Sequence, residues 1–260
     1  NVTLSGGVGG TQDWLALAPA GSANSSYSSW FYVGGGVTSH TWPVAMPSTP
    51  GTYEFRLFLN NDTIRAATSP SITVAQAPHP VPTLTSLTPA PAVAGVPMTL
   101  TLNGSGFVSS SVARWNGVNR TTTYVSATQL RINVPSFDVA SVGTAQLSVF
   151  TPSPGGGPSN LVSLDIVPAP VLNASATSAA HGTQVTVTLT GGLGGPAAWL
   201  ALAPASSGDS GYVVWQYVGS GVTSTTWTVT MPATTGPYEF RLYRDGGYIR
   251  IAISPTITVF

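Results

Sequence analysis

The chain has 260 residues, no net charge and only 6% charged residues, against about a quarter in ordinary globular domains. All eight cations are arginine and none are clustered, which excludes a nucleic-acid binder, because phosphate contacts need grouped positive charge. The absence of cysteine removes disulfides, zinc knuckles and thiol chemistry, the 42% hydrophobic content with seven Trp argues against disorder, and no apolar run approaches the roughly 18 residues of a membrane span.

Along the chain, the first feature is a repeat. Residues 2–74 and 187–259 align without a gap, and 45 of the 73 positions are identical. The first copy opens VTLSGGVGGTQDWLALAPA; the second opens VTLTGGLGGPAAWLALAPA. The Gly runs at 6–10 and 191–195 precede strands and carry no Lys, so they read as β-connections and not phosphate loops. At the next element, Phe31 in one copy is Gln216 in the other, between shared Trp30/Trp215 and Tyr32/Tyr217. A position that takes Phe or Gln is expected to face solvent, with the flanking Trp and Tyr pointing inward. In YEFRL (53–57 and 238–242) and TTWTVTMP (225–232), apolar and polar residues alternate with period 2, the mark of strands with one buried face. Asn60-Asn61-Asp62 and Asp245-Gly246-Gly247 read as hairpin turns. Ala66 becomes Ile251 and Thr68 becomes Ile253, so the second copy is expected to pack more apolar area.

Pro-rich stretches at 75–82 and 168–170 are stiff joints. No segment shows a sustained helical period, and Gly and Pro punctuate every few residues. The expected fold is all-β: three tandem immunoglobulin-like sandwiches in a rod-like array, over 1–77, 80–167 and 169–260. VLNASATSAAHGTQ (171–184) reads as an opening strand and turn for the second copy, and the first copy has no counterpart to it. The chain is therefore expected to be cut from a longer tandem array, or else to receive that strand from a neighbouring molecule. No signal peptide opens the sequence, so it begins after one or is a fragment.

The middle segment resembles the IPT/TIG family of immunoglobulin-like domains. The residues that carry this are PTLTSLTPAPAVAG (82–95), NGSGF (103–107), VARWNGVNRTTTYVSATQLRINVP (112–135) and GGGPSN (155–160). The resemblance implies a sandwich used as a spacer or adhesion stalk in bacterial surface and secreted proteins, without enzymatic activity. The flanking copies are similar to bacterial surface modules with the pattern D-W-[IL]-[GA]-L, Trp-x-Tyr and P-G-x-Y-E-x-R-L, and more loosely to SKICH-type sandwiches. The matching residues are Asp13–Leu17, Trp30-Phe31-Tyr32 and Pro50–Leu57; the second copy departs at Ala198.

No catalytic constellation is expected. Gly208-Asp209-Ser210-Gly211 looks like a nucleophile turn, yet the first copy has Ala23-Asn24-Ser25-Ser26 there. His40, His79 and His181 lie in three segments without metal-ligand spacing. The repeated charges Glu54, Arg56, Arg65 and Glu239, Arg241, Arg250 are placed by the alternation on an outer sheet face, as an exposed ion cluster or an inter-domain contact. The Trp residues are expected in the core. Asn1, Asn24, Asn61, Asn119 and Asn173 lie in N-x-[ST] sequons that a glycosylating host would modify, while Asn103 belongs to the NGSGF turn. No cofactor is expected.

These features converge on a non-catalytic extracellular or cell-surface structural protein, a repeat segment of a stalk or filament that associates with its own kind. The alternative is a glycan-binding region of a secreted glycan-active enzyme or adhesin, which requires an exposed aromatic strip.

Overall fold

The computed structural model describes residues 1–260. Apart from one 3-10 turn at Ser136–Val139, every regular element is a strand. The chain forms two compact units, Asn1–Pro78 and His79–Phe260.

In the first unit, Val2–Ser5 pairs with Ser39–Trp42 as one small sheet. The other sheet runs Ser29–Tyr32, Trp14–Pro19, Gly51–Phe58, Arg65–Thr68, and Ile72–Val74 also pairs with Gly51–Phe58. The register sets Trp14 opposite Tyr32 and Phe58, and Ala16 opposite Trp30 and Arg56. Side chains alternate across a strand, so Leu15, Leu17, Phe31, Phe55 and Leu57 face the partner sheet and form the core with Trp42. Trp14, Ala16, Trp30, Tyr32, Arg56 and Phe58 share the opposite face.

This corrects the expectation at Phe31. The variable position packs on the core in the first copy, and Trp30 and Tyr32 face solvent. Gln216 holds the same register position, opposite Leu200, and is half-buried, so exchange between Phe and Gln does not report exposure here.

The second unit holds two further pairs of sheets. Residues 83–167 place Thr122–Ser126, Gln129–Val134, Met98–Ser105 and Thr83–Thr88 over a sheet built on Val112–Trp115, Gly143–Thr151 and Val162–Val167. Leu100, Leu102, Trp115, Leu130, Leu147 and Val149 fill the space between. Residues 171–259 repeat the plan of the first unit, with Trp199 opposite Tyr217 and Tyr243. They add Val171–Ala174 beside Gln184–Thr190, and Ser178–Ala179 beside Ile257–Val259. Val93 joins the core of this last sandwich, and Arg244 Nη1 donates to the Pro91 carbonyl at 3.1 Å. Burying a long stem and a donor there ties the two sandwiches of this unit together.

Asn60, Asn61 and Asp245 sit at positive φ, 54°, 57° and 55°, in the turns expected there; Asn and Asp tolerate this region better than other residues with a Cβ. Ile251 is buried while Ile253 is exposed, so only one of the two extra isoleucines adds to the core.

Candidate functional site

The outer face of each repeated module carries the densest chemistry in the chain. Its floor is unusual for a sandwich exterior. Ala16 and Ala18 are small, which leaves depth above the strand Trp14–Pro19. The connection from Pro19 to Ser29 folds back into that depth and covers Arg56.

The guanidinium of Arg56 is 0% exposed. Nε donates to Glu54 Oε1 at 2.9 Å, Nη1 to the Ala23 carbonyl at 2.9 Å, and Nη2 to the carbonyls of Pro19 and Ser22 at 3.0 Å each. Arg65 Nη1 reaches the same Glu54 oxygen at 2.8 Å. The second copy repeats this. Arg241, also 0% exposed, donates to Glu239 at 2.7 Å and to the carbonyls of Gly208, Pro204 and Ser207 at 2.9, 3.1 and 3.0 Å. Arg250 contacts Glu239 and Asp209, each at 3.4 Å. The alternation put these residues on the correct face, but the face is not open: a loop roofs it. The six charges bond within their own modules, whereas Arg244 and Val93 join the neighbouring sandwiches of the second unit.

Each roofing loop delivers a tyrosine to the aromatic face. Tyr27 meets Trp14 edge-on at 5.3 Å, Trp14 stacks on Phe58 at 4.3 Å, and Trp30 lies edge-on to Tyr32 at 5.0 Å. In the second copy Tyr212 meets Trp199 at 5.3 Å, Trp199 stacks on Tyr243 at 4.2 Å, and Trp215 meets Tyr217 at 5.0 Å. Trp14 and Trp199 are buried anchors, and their indole N–H groups donate to the Asp62 and Gly247 carbonyls. Trp30 and Trp215 are 50% and 44% exposed. The expectation of core tryptophans therefore fails at these two positions. Ala16 and Ala201, opposite them in the ladder, offer no bulk to cover their rings. In the second copy Trp199, Tyr212, Trp215, Tyr217 and Tyr248 line a shallow recess of about 120 Å³ with no charged side chain.

Tyr243 stands where the first copy has Phe58. Burial raises its hydroxyl above the usual 10.0, the Asp209 charge adds to this, and Arg241 opposes it. The sign follows: the folded module keeps this proton while the unfolded chain loses it, so stability falls as pH rises above about 10. Tyr243→Phe is expected to remove part of that alkaline loss, read from urea midpoints at pH 9 and 11.

The remaining expected sites have structural roles. Gly208 accepts from Arg241, and Asp209 accepts from Tyr243 and pairs with Arg250, so the Gly-Asp-Ser-Gly segment is the roofing loop. His40 stacks on Phe31, and His79 Nδ1 contacts the Pro152 carbonyl. Asp13 accepts the Gly10 and Asn60 amides; in the second copy the carboxylate moves to Asp245, which pairs with Arg244. No group of three or more His, Asp or Glu is placed to hold a metal. Asn1, Asn61, Asn119 and Asn173 are exposed, and Asn24 is half-buried with its amide on the Thr63 carbonyl.

Residues 82–166 match the family model described as the IPT/TIG domain. No curated protein matches. Among solved structures, the chain is similar to a Bacteroides ovatus mixed-linkage glucan utilization locus protein, SGBP-B, in complex with a mixed-linkage heptasaccharide (16% identity, 96% of this chain, TM-score 0.28). The chain spans 60% of that protein's length. It is also similar to the I9–I11 tandem of titin (13% identity, 83% of this chain and 75% of the other, TM-score 0.32). The fold is the expected all-β tandem of immunoglobulin-like domains, with the IPT/TIG domain at its centre.

Proposed function

We propose that this chain is a non-catalytic extracellular segment of three immunoglobulin-like modules, 1–77, 80–167 and 169–260, whose two repeated modules bind neutral polysaccharide on their outer aromatic faces. The observation that carries this is internal to the chain. Of the 73 aligned positions 28 differ, including 28, 29 and 31 beside the exposed aromatics, yet Tyr27, Trp30 and Tyr32 all recur as Tyr212, Trp215 and Tyr217. Half-exposed Trp is costly surface unless something covers it. The apolar C–H face of a sugar ring packs well on an indole, and the ring's hydroxyls meet the tyrosine hydroxyls at the rim. The recess lacks charge, which favours a neutral glycan over a polyanion.

The test is binding of the 260-residue chain to immobilised glucans, mannans, galactans and xylans, with alginate and hyaluronate alongside. At least one neutral polymer is expected to bind. Trp30→Ala and Trp215→Ala should each weaken binding about tenfold, the equivalent of about 1.4 kcal/mol. A chain that binds none of the neutral panel, or binds equally without both indoles, refutes the reading.

The low charge and cysteine-free sandwiches also suit a stalk or filament, and a glycan-gripping stalk combines both roles. Zero net charge provides no repulsion between copies.

A further inference from the structure

The two copies differ at the rim of the aromatic face. In the second, Tyr212, Trp215 and Tyr248 each stand steeply against Trp199. Their ring centroids are 5.3, 6.1 and 5.8 Å from it, at interplanar angles of 67°, 79° and 82°. Tyr217 stands at 86° to Trp215. Trp199 is held in place by its stack on Tyr243 and by its N–H bond to the Gly247 carbonyl. These five rings and Gly246 line the recess, and no carboxylate, guanidinium or amide side chain does. The first copy has Thr63 where the second has Tyr248, and Asn61 where the second has Gly246. Tyr32 donates to Asn61 Oδ1 at 2.8 Å, so an amide stands at that edge of the first face and one wall of rings is missing from it.

We propose that the recess of the second module is an aromatic cage for a quaternary ammonium group, the trimethylammonium head of a choline-type ligand. Trp199 is its floor, Tyr212, Trp215, Tyr217 and Tyr248 are its walls, and Tyr248 is the wall that the first module lacks. Ring faces carry negative potential and attract a cation placed over them. A primary ammonium or a guanidinium would surrender the water on its N–H groups with only tyrosine hydroxyls to replace it. A quaternary ammonium has no N–H group, and its methyl groups pack on the rings as apolar surface. The cage shares the recess of the glycan reading and does not rest on it.

The test is titration of the ¹⁵N-labelled chain with choline and, separately, with 3,3-dimethylbutanol, the uncharged isostere in which carbon replaces the nitrogen. Choline should move and saturate the indole N–H signals of Trp199 and Trp215 and leave Trp14 and Trp30 in place. The isostere should bind about tenfold more weakly, the loss expected when one or two cation–π contacts are removed. Tyr248→Thr imports the residue that the first module carries there, so the fold accommodates it, and it should weaken choline at least about threefold. Sedimentation with phosphatidylcholine vesicles, with and without free choline, separates the sources of the head group. Co-sedimentation that choline releases marks a membrane surface; choline binding without co-sedimentation marks a free ligand; either supports the cage. Absent choline shifts, equal affinity for choline and its isostere, or unchanged affinity in Tyr248→Thr overturns it. If Trp215 answers to a neutral oligosaccharide but not to choline, this inference alone falls. Choline binding by a chain that retains no neutral polymer removes the glycan reading alone.

Discussion

Arg241→Leu is expected to cost the second unit about 3–5 kcal/mol, the penalty for breaking a buried, fully bonded charge pair by removing one partner. The leucine fills much of the volume but none of the polar demand. The Ser207 carbonyl loses its donor, the Pro204 and Gly208 carbonyls keep only their bonds from Ser207 and the Gly211 amide, and Glu239 keeps only the longer Arg250 contact. Arg241→Lys should recover less than half, because a point charge cannot span acceptors arranged around a planar fork. Arg56→Leu is the parallel experiment in the first unit. Urea unfolding measures both. A loss of only about 0–1 kcal/mol is the value for an exposed pair, and finding it would mean the loop does not roof the guanidinium. The loop also carries Tyr212, so the same variant should lose much of its polysaccharide binding.

Gly104→Ala is expected to cost about 3 kcal/mol, the upper range for overpacking a tight interior. Met98–Ser105 changes register against Thr83–Thr88 between Asn103 and Gly104. A Cβ at 104 would run into the Thr83 carbonyl oxygen, which is backbone and cannot swing aside, and would sit 2.6 Å from Phe107 Cζ. Gly143→Ala is the control: nothing lies within 4 Å of its Cβ, so the unfolding midpoint should stay close to wild type. Equal midpoints for the two variants would contradict this packing.

Much of this architecture was legible from residues alone. The gapless repeat, the period-2 strands, the Asn and Asp turns and the central IPT/TIG motifs each came through, because local patterns determine them. The outer face did not. Alternation assigns a residue to one side of a strand; it does not say whether a connection folds back over that side. Alternation alone therefore makes Arg56 and Arg241 look like surface charges. A signal did exist: WLALA is apolar at every position, and a strand apolar on both faces is covered on both faces. Trp30 and Trp215 lie outside the core because Phe31 packs inward and Gln216 is half-buried, so a Phe/Gln exchange carries no information about which side of that strand is open. The contact through Arg244 was invisible, since it joins residues 153 apart in sequence.

The duplicated aromatic face is tested most directly by following the indole N–H signals of the seven tryptophans in a ¹⁵N-labelled chain, titrated with short oligosaccharides of whichever neutral polymer is retained. Trp30 and Trp215 should shift and saturate together, with Trp115, sealed in the central sandwich, unmoved. Shifts at neither of the two, while the sugar still binds, would contradict the assignment.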